Sequence, residues 1–532
     1  MTRPTGSRRD FLRATGALLA SGAAEALWPQ LGLIPAALAQ SAPGYKALVC
    51  LYLGGGNDSW NLLMPGAGSA WEVYRQTRNG VYSTQNTSGL ALPASDGSGF
   101  VAGQTPPPAI AVSGGYGVNP FCTELAQLYE EGHLAFLANI GTLIEPITRA
   151  TYTTRRRPPQ LFAHNEQTAL WQIGTADNAK APHGWGGMVA GRTALPTAQT
   201  AGLPPTITLS GHSRFLAGNT SSGLPLFSFA LSTSNTSPAA SLSEYGLPGR
   251  SANQFQQGRL EALAALLDLA SPQPFTDEYR RILARSIELA TEVVNPAFAS
   301  IAPSDPVNLP FEGLDGSSLY SQLRQIARMI KVSADPGLAR PILANRQVFF
   351  VSLGGWDTHS GQITSPGATA HHARLQTVSR AVNAFFRSMQ AIGMADKVTL
   401  FTASEFARTL NSNGDGTDHA WGGVQFVVGG AVNGRNVYGR YPSLALNNSL
   451  GAPVPGTDPS RGETLSRGQF LPTLAVDQLG ATLARWMGVS DGDLLTLFPN
   501  LDNFRNGPVA NPSASPTFAY FSRTIPGLMQ GV

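Results

Sequence analysis

Five short apolar runs, each closed by glycine or a polar side chain, set the tightest limit on how this chain can fold. They are K-A-L-V-C-L-Y-L (46–53), L-A-F-L-A-N-I (134–140), Q-V-F-F-V-S-L (347–353), K-V-T-L-F-T (397–402) and V-Q-F-V-V-G-G (424–430). None alternates apolar with polar residues. That is the pattern of a strand covered on both faces, and such strands belong to parallel sheets. Between them, apolar spacing predicts helices over 120–131, 253–271, 276–296, 318–330, 371–391 and 469–487. The 371–391 helix has the length of a right-handed βαβ crossover between two of the runs. The expected fold class is therefore α/β, a mostly parallel doubly wound sheet with helices on both faces. Residues 81–115, 197–250 and 442–468 are rich in Ser, Thr, Gly and Pro, lack periodicity, and read as long loop insertions.

The first forty residues stand outside this pattern. S-R-R-D-F-L-R (7–13) precedes a moderately apolar stretch to Pro35 and a small-residue site, A-L-A-Q-S (37–41). Paired arginines, apolar region and cleavage site in that order predict a twin-arginine export signal over 1–39, cut after Ala39. The expected location is the periplasm or the cell exterior, with the twin-arginine translocon a partner during export. Those 39 residues hold four arginines and two acids, so the 36 basic and 33 acidic residues of the chain fall to 32 and 31 after cleavage. A balance this even gives no reason to expect nucleic acid. No later apolar run is long enough to span a membrane. Two cysteines, Cys50 and Cys122, exclude a disulfide scaffold.

In open parallel sheets, ligands bind beyond the carboxyl ends of the strands. After the first run comes G-G-G-N-D-S-W-N, with Asp58 and Ser59. After the third comes G-G-W-D-T-H-S, with Asp357 and His359, and after the fourth A-S-E-F-A-R-T, with Glu405 and Arg408. The loop N-G-D-G-T-D-H-A-W-G-G (413–423) then brings Asp418 and His419. A single Asp at a strand end is usually a helix cap, and an isolated Asp-His is usually an ordinary turn. Together these residues converge on one sheet edge, and mixed carboxylate and imidazole donors suit a divalent metal such as Zn or Mn, as one ion or two. Glu405 is either a ligand or an acceptor that orients a histidine. Arg408 and the triplet Arg155, Arg156 and Arg157 are candidates for holding an anion, the triplet equally a solvated loop.

The segments L-G-G-G-N-D-S-W-N, W-D-T-H, S-E-F-A-R-T and G-T-D-H-A-W-G-G, in this order after an export signal, resemble the bacterial DUF1501 family. The resemblance runs over roughly residues 45–505, which implies a single domain there and a C-terminal tail over 506–532. It implies an alkaline phosphatase-like fold, and a metal centre held by Asp58, by Asp357 with His359, and by Asp418 with His419. Relatives commonly carry Ser directly before a His in the segment that reads P-P-Q-L-F-A-H-N-E-Q here (158–167); this chain has Ala163 at that place. If that Ser is a nucleophile, Ser59 or a Thr of 151–154 must replace it, a metal-activated water must attack directly, or the chain does not hydrolyse esters. His164 follows as a catalytic group, a ligand, or a packing residue.

Two functions stay open. One is an exported metal-dependent hydrolase of phosphate or sulfate esters, its substrate a small or glycan-linked anionic ester, with catalytic candidates Ser59, His164 and Arg408. The other is a non-catalytic exported protein that keeps the fold and binds metal or glycans. A redox enzyme is disfavoured by the lack of a dinucleotide fingerprint or cysteine cluster.

Overall fold

A computed structural model describes residues 44–149, 151–194, 203–226, 228–234, 258, 261–263, 265–267, 269, 272–335, 344–364, 370–444, 464–505 and 522–532. The expected export signal, most of the expected 253–271 helix and most of 442–468 lie outside these residues.

The strands are β1 (Lys46–Gly54), β2 (Leu63–Pro65), β3 (Ile110–Val112), β4 (Tyr116–Val118), β5 (Leu134–Gly141), β6 (Thr206–Thr208), β7 (Ser228–Ala230), β8 (Arg346–Gly354), β9 (Val398–Ala403), β10 (Gly423–Gly429), β11 (Asn436–Gly439) and β12 (Leu474–Ala475). The helices are α1 (Gly68–Thr77), α2 (Thr123–Glu130), α3 (His164–Ile173), α4 (Trp185–Thr193), α5 (Pro274–Glu288), α6 (Asn295–Ala299), α7 (Ser318–Ala334), α8 (His371–Ala391), α9 (Val476–Met487) and α10 (Asp491–Leu497). A π-helical turn, Leu289–Val294, joins α5 to α6.

Among the described residues the main sheet runs β11-β5-β10-β9-β1-β8-β6-β7, with β12 also paired to β5. β1 lies parallel to β8 on one side and β9 on the other, Val49 facing Phe349 and Leu400. Burial on both faces explains its unbroken apolar run. Leu48, Cys50 and Tyr52 enter a core with Trp185 and Val189 of α4 and Leu479 and Leu483 of α9. Val49 and Leu51 are equally buried but lie outside that core, on the strand's other side. Each large apolar side chain buried this way contributes about 1.5–3 kcal/mol. The crossover from β8 through α8 to β9 passes over β1, as the length of the 371–391 segment required.

One strand departs from the expected direction. β10 is antiparallel to both β5 and β9. Its hydrophobicity is continuous because both of its faces are covered, and that property carries no information about direction. The reversal has a geometric result. Gly54 and Gly354 end their strands side by side and Ala403 ends beside Tyr52, while β10 begins at this same edge, Gly423 facing Ile140 near the end of β5.

The loop-rich stretch 197–250 contributes β6 and β7 to the sheet, and β3 ends the 81–115 segment in a small antiparallel sheet, β2-β4-β3. The last predicted helix begins at Val476 and is followed by α10. Residues 522–532, expected as part of a tail, pack back on the domain instead, with Ile525, Leu528 and Met529 in the main core and Val432 bridged to Met529. Among the described residues no helix is long and apolar enough to cross a membrane.

Candidate metal centre

Three loops and one helix start meet beyond the ends of β1, β8 and β9. The β1 loop turns at Gly55, φ +126°, where a Cβ would sit 2.5 Å from the backbone nitrogen of Asp357, so only glycine lets the two loops touch. The β9–β10 loop folds on itself as a short ladder. Ala420 N donates to Ala407 O at 2.8 Å, Ala407 N to Trp421 O at 3.2 Å, and Thr409 N to Asp418 O at 2.9 Å. This ladder sets Arg408 opposite His419. At Gly416 a Cβ would lie 2.4 Å from the His359 carbonyl, so the glycine permits close approach of the β8 loop. Of the glycines in 413–423, only Gly414 takes a positive φ; the others serve by being small.

The side chains brought together are His164, Asp357, His359 and His419. One ligand atom from each of His164, Asp357 and His419 lies within 4.8 Å of the others. His419 Nε2 is 3.2 Å and His359 Nε2 3.0 Å from Asp357 Oδ1, and the two Nε2 atoms are 3.0 Å apart. His164 Nε2 is 3.6 Å from Asp357 Oδ2. Tetrahedral coordination with metal–nitrogen bonds of about 2.0–2.1 Å separates neighbouring donors by about 3.3 Å.

The outer nitrogen of each ring settles which atom faces inward. His164 Nδ1 donates to Glu405 Oε1 at 2.7 Å, His419 Nδ1 to the Phe162 carbonyl at 2.7 Å, and His359 Nδ1 to Asp418 Oδ1 at 3.2 Å. A carbonyl or carboxylate can only accept, so as neutral rings His164 and His419 keep the proton on Nδ1 and present an Nε2 lone pair, while His359, with a carboxylate at each nitrogen, can donate from either. Lone pairs facing one carboxylate are repelled by it unless a cation or shared protons lie between them. Histidines that hold metals are oriented in this way, the remote N–H tied to a carboxylate or carbonyl. The donor set fits a divalent metal such as zinc.

The surroundings fix the donors. Burial pulls the Asp357 carboxyl upward, but the hydrogen bond and charge of Arg408 outweigh it and hold it below the usual range. Burial raises Asp418 too, and hydrogen bonds from Asn413 and His359, with the charge of Arg467, bring it down. Burial lowers His419; the Phe162 carbonyl opposes this and the Arg408 charge adds to it.

Some expected residues take other roles. Asp58 is fully buried, its carboxylate paired with Arg78 and accepting from Gln362 Nε2 at 2.5 Å, so its charge is already neutralised. Ser59 is also fully buried, and its hydroxyl accepts from Val424 N at 2.7 Å, which leaves it unexposed to any substrate. Arg408 is fully buried, donating to Asp357, Thr417 and Gly55; it positions Asp357 and has no donor facing solvent. Glu405 is the orienting acceptor, its oxygens taking Gly55 N at 2.7 Å, Tyr52 Oη at 3.0 Å and His164 Nδ1. Asp418 likewise holds His359. His164 comes from the first turn of α3, with Ala163 at the N-cap and no side-chain cap. The Phe162 carbonyl, Asn413 and Arg467 were not expected; backbone acceptors and loop partners leave no sequence signal. Arg155 and Arg156 are paired with Glu145 and Asp177.

Several solved structures resemble the chain at low identity. It is similar to a protein in the alkaline phosphatase superfamily from Vibrio parahaemolyticus, at 9% identity over 77% of this chain and 68% of that one, TM-score 0.28. It is similar to the PsFucS1 sulfatase from Pseudoalteromonas sp., at 10% identity over 87% and 71%, TM-score 0.30. It is also similar to the lipoteichoic acid synthase LtaP from Listeria monocytogenes, at 9% identity over 78% and 74%, TM-score 0.26. Likeness at this level transfers no residue roles. The family model of DUF1501, described as a protein of unknown function, matches residues 334–452, the stretch that carries W-D-T-H, S-E-F-A-R-T and G-T-D-H-A-W-G-G. Comparison with curated proteins gave no match.

Proposed function

We propose that this chain is an exported, metal-dependent hydrolase of phosphate or sulfate esters. One observation carries the metal: three imidazole Nε2 atoms converge on Asp357, each ring with its other nitrogen committed to a fixed acceptor. His164, Asp357 and His419 would hold the ion, and His359 touches two of them. A divalent ion there supplies positive charge to polarise an anionic ester and to ease deprotonation of a nucleophile. The protein's own part is positional. Glu405 and the Phe162 carbonyl keep His164 and His419 in the tautomer that offers Nε2, Asp418 holds the His359 ring in place, and Arg408 keeps Asp357 ionised and aimed. The donors are partly open to solvent, as a site that admits substrate requires. Export through the twin-arginine route, by Arg8 and Arg9, fits a centre assembled in the folded state before transport.

The test is elemental analysis of wild type and His419→Ala, followed by turnover of aryl phosphates, phosphodiesters and sulfates with added Zn or Mn. Metal content and turnover should both fall in the variant. Equal metal in the two proteins would remove the centre.

A second function has one specific observation behind it. Ala163, which has no hydroxyl, stands at the N-cap of α3 directly before His164, and Ser59 is buried. An exported protein that binds metal or glycans without hydrolysis matches this lack of an exposed hydroxyl at either place. Metal content with no turnover of any ester in the panel would favour it.

A further inference from the structure

Beside the cluster, a cleft of about 430 Å³ has Tyr152, Arg157, Pro158, Gln160, Leu161 and Phe162 among its lining residues. We propose that this cleft is a subsite for a second anionic group of the substrate, with Arg157 the residue that recognises it. The proposal deepens the ester-hydrolase function and rests on it for the word substrate; the anion site itself stands on the features below.

Arg157 is exposed, and among the described residues it makes no hydrogen bond or ion pair. Its guanidinium lies over the Tyr152 ring, 4.4 Å from the centroid. Contact with the ring holds the guanidinium in place while its N–H groups stay unpaired among the described residues, free to receive an oxyanion bidentately. The neighbouring arginines differ, because Arg155 and Arg156 are already neutralised by Glu145 and Asp177, at 2.7 and 2.6 Å. The triplet thus resolves into two structural arginines and one available one.

The backbone of the cleft is strained. Gln160 takes φ +46°, a left-handed conformation that is unfavourable for a non-glycine residue and that clusters at binding sites. The strained turn carries Leu161 into a small core with Trp421 and sets the Phe162 carbonyl on His419 Nδ1 at 2.7 Å. Two residues further on is His164. One wall therefore serves both places: its inner side orients the histidine cluster and its outer side lines the cleft. A molecule whose reacting ester lies at the cluster can extend along this wall, so the cleft selects esters that carry a further carboxylate, sulfate or phosphate over simple monoanions.

The experiment is calorimetric titration of the full-length protein, loaded with Zn, with flexible polymethylene disulfonates of two to eight carbons and the corresponding monosulfonates. In wild type, at least one disulfonate should bind about tenfold tighter than its monosulfonate. Arg157→Gln should bring that ratio to about one, and Arg157→Lys should restore part of it. A ratio of one at every chain length in wild type, or a ratio unchanged in Arg157→Gln, would overturn the subsite. Turnover of a simple aryl ester is measured beside it. A dianion preference lost in Arg157→Gln without any turnover keeps the subsite and removes the hydrolase; turnover with no preference does the reverse.

Discussion

Arg408 donates from Nη1 to Oδ1 of Asp357 at 2.7 Å, the guanidinium wholly buried and the carboxylate nearly half exposed. A fixed cation under an open anion is how a loop carboxylate can be kept both ionised and still. Arg408→Lys keeps the charge but loses the fork that also grips Thr417 and Gly55. Zinc affinity, measured by competition with a chromophoric chelator, should fall about 10–100-fold, the usual loss when an orienting partner is changed. An unchanged affinity would show that Asp357 needs no such support.

Asp58 and Arg78 form an ion pair with no exposure on either side chain. Removing one partner of such a pair leaves a buried charge, at a cost of about 3–5 kcal/mol. Asp58→Asn should lower stability in urea by that order while metal content per folded molecule stays at the wild-type level. A loss of metal with stability intact would make Asp58 a ligand after all.

His371, at the start of α8, is buried and pushed down to about 4 by desolvation, its Nε2 facing Asn57 Oδ1 at 3.0 Å. The folded pKa lies below the ordinary 6.5, so in acid the unfolded chain binds the extra proton first. Stability from this group is complete above pH 6.5 and is lost as pH falls from there to about 4, by on the order of 3 kcal/mol at most. His371→Gln should flatten this part of the pH–stability curve relative to wild type. Parallel curves for the two proteins would assign the acid sensitivity elsewhere.

Replacing Arg8 and Arg9 together by Lys should stop delivery to the periplasm. Cell fractionation checks this, and continued export of the double variant through the folded-protein route would refute the signal.

Much of this was legible in the sequence because burial on two faces writes itself as continuous hydrophobicity. That is why β1, β8 and β9 could be read, and with them the places of Asp357, His359, Glu405, Asp418 and His419. The direction of β10 could not be read, since its side chains meet the same surroundings either way. β6, β7 and β11, of three or four residues each, are too short to show a period. Asp58 and Ser59 follow a strand just as Asp357 does, yet they are buried. Gly55 and Gly56, both at positive φ, press the β1 loop against Asp357 and Phe406, and the residues after them turn under the loop. His164 belongs to a helix start far from the strands in sequence, so no strand-end rule could have enlisted it as a donor.

The reversed strand has a consequence for how the site assembles. The chain leaves the sheet after Ala403 and returns at Gly423 on the same edge, so Glu405, Arg408, Asp418 and His419 all belong to one excursion. Closing a loop of this length costs less entropy than bringing together His164 and Asp357, whose separation in sequence is an order of magnitude greater. A parallel β10 would start at the opposite edge, and the chain would have to travel the length of the sheet after passing His419. With β10 reversed, one half of the site can form from neighbours in sequence, leaving α3 and the β8 loop to supply the distant half when they dock.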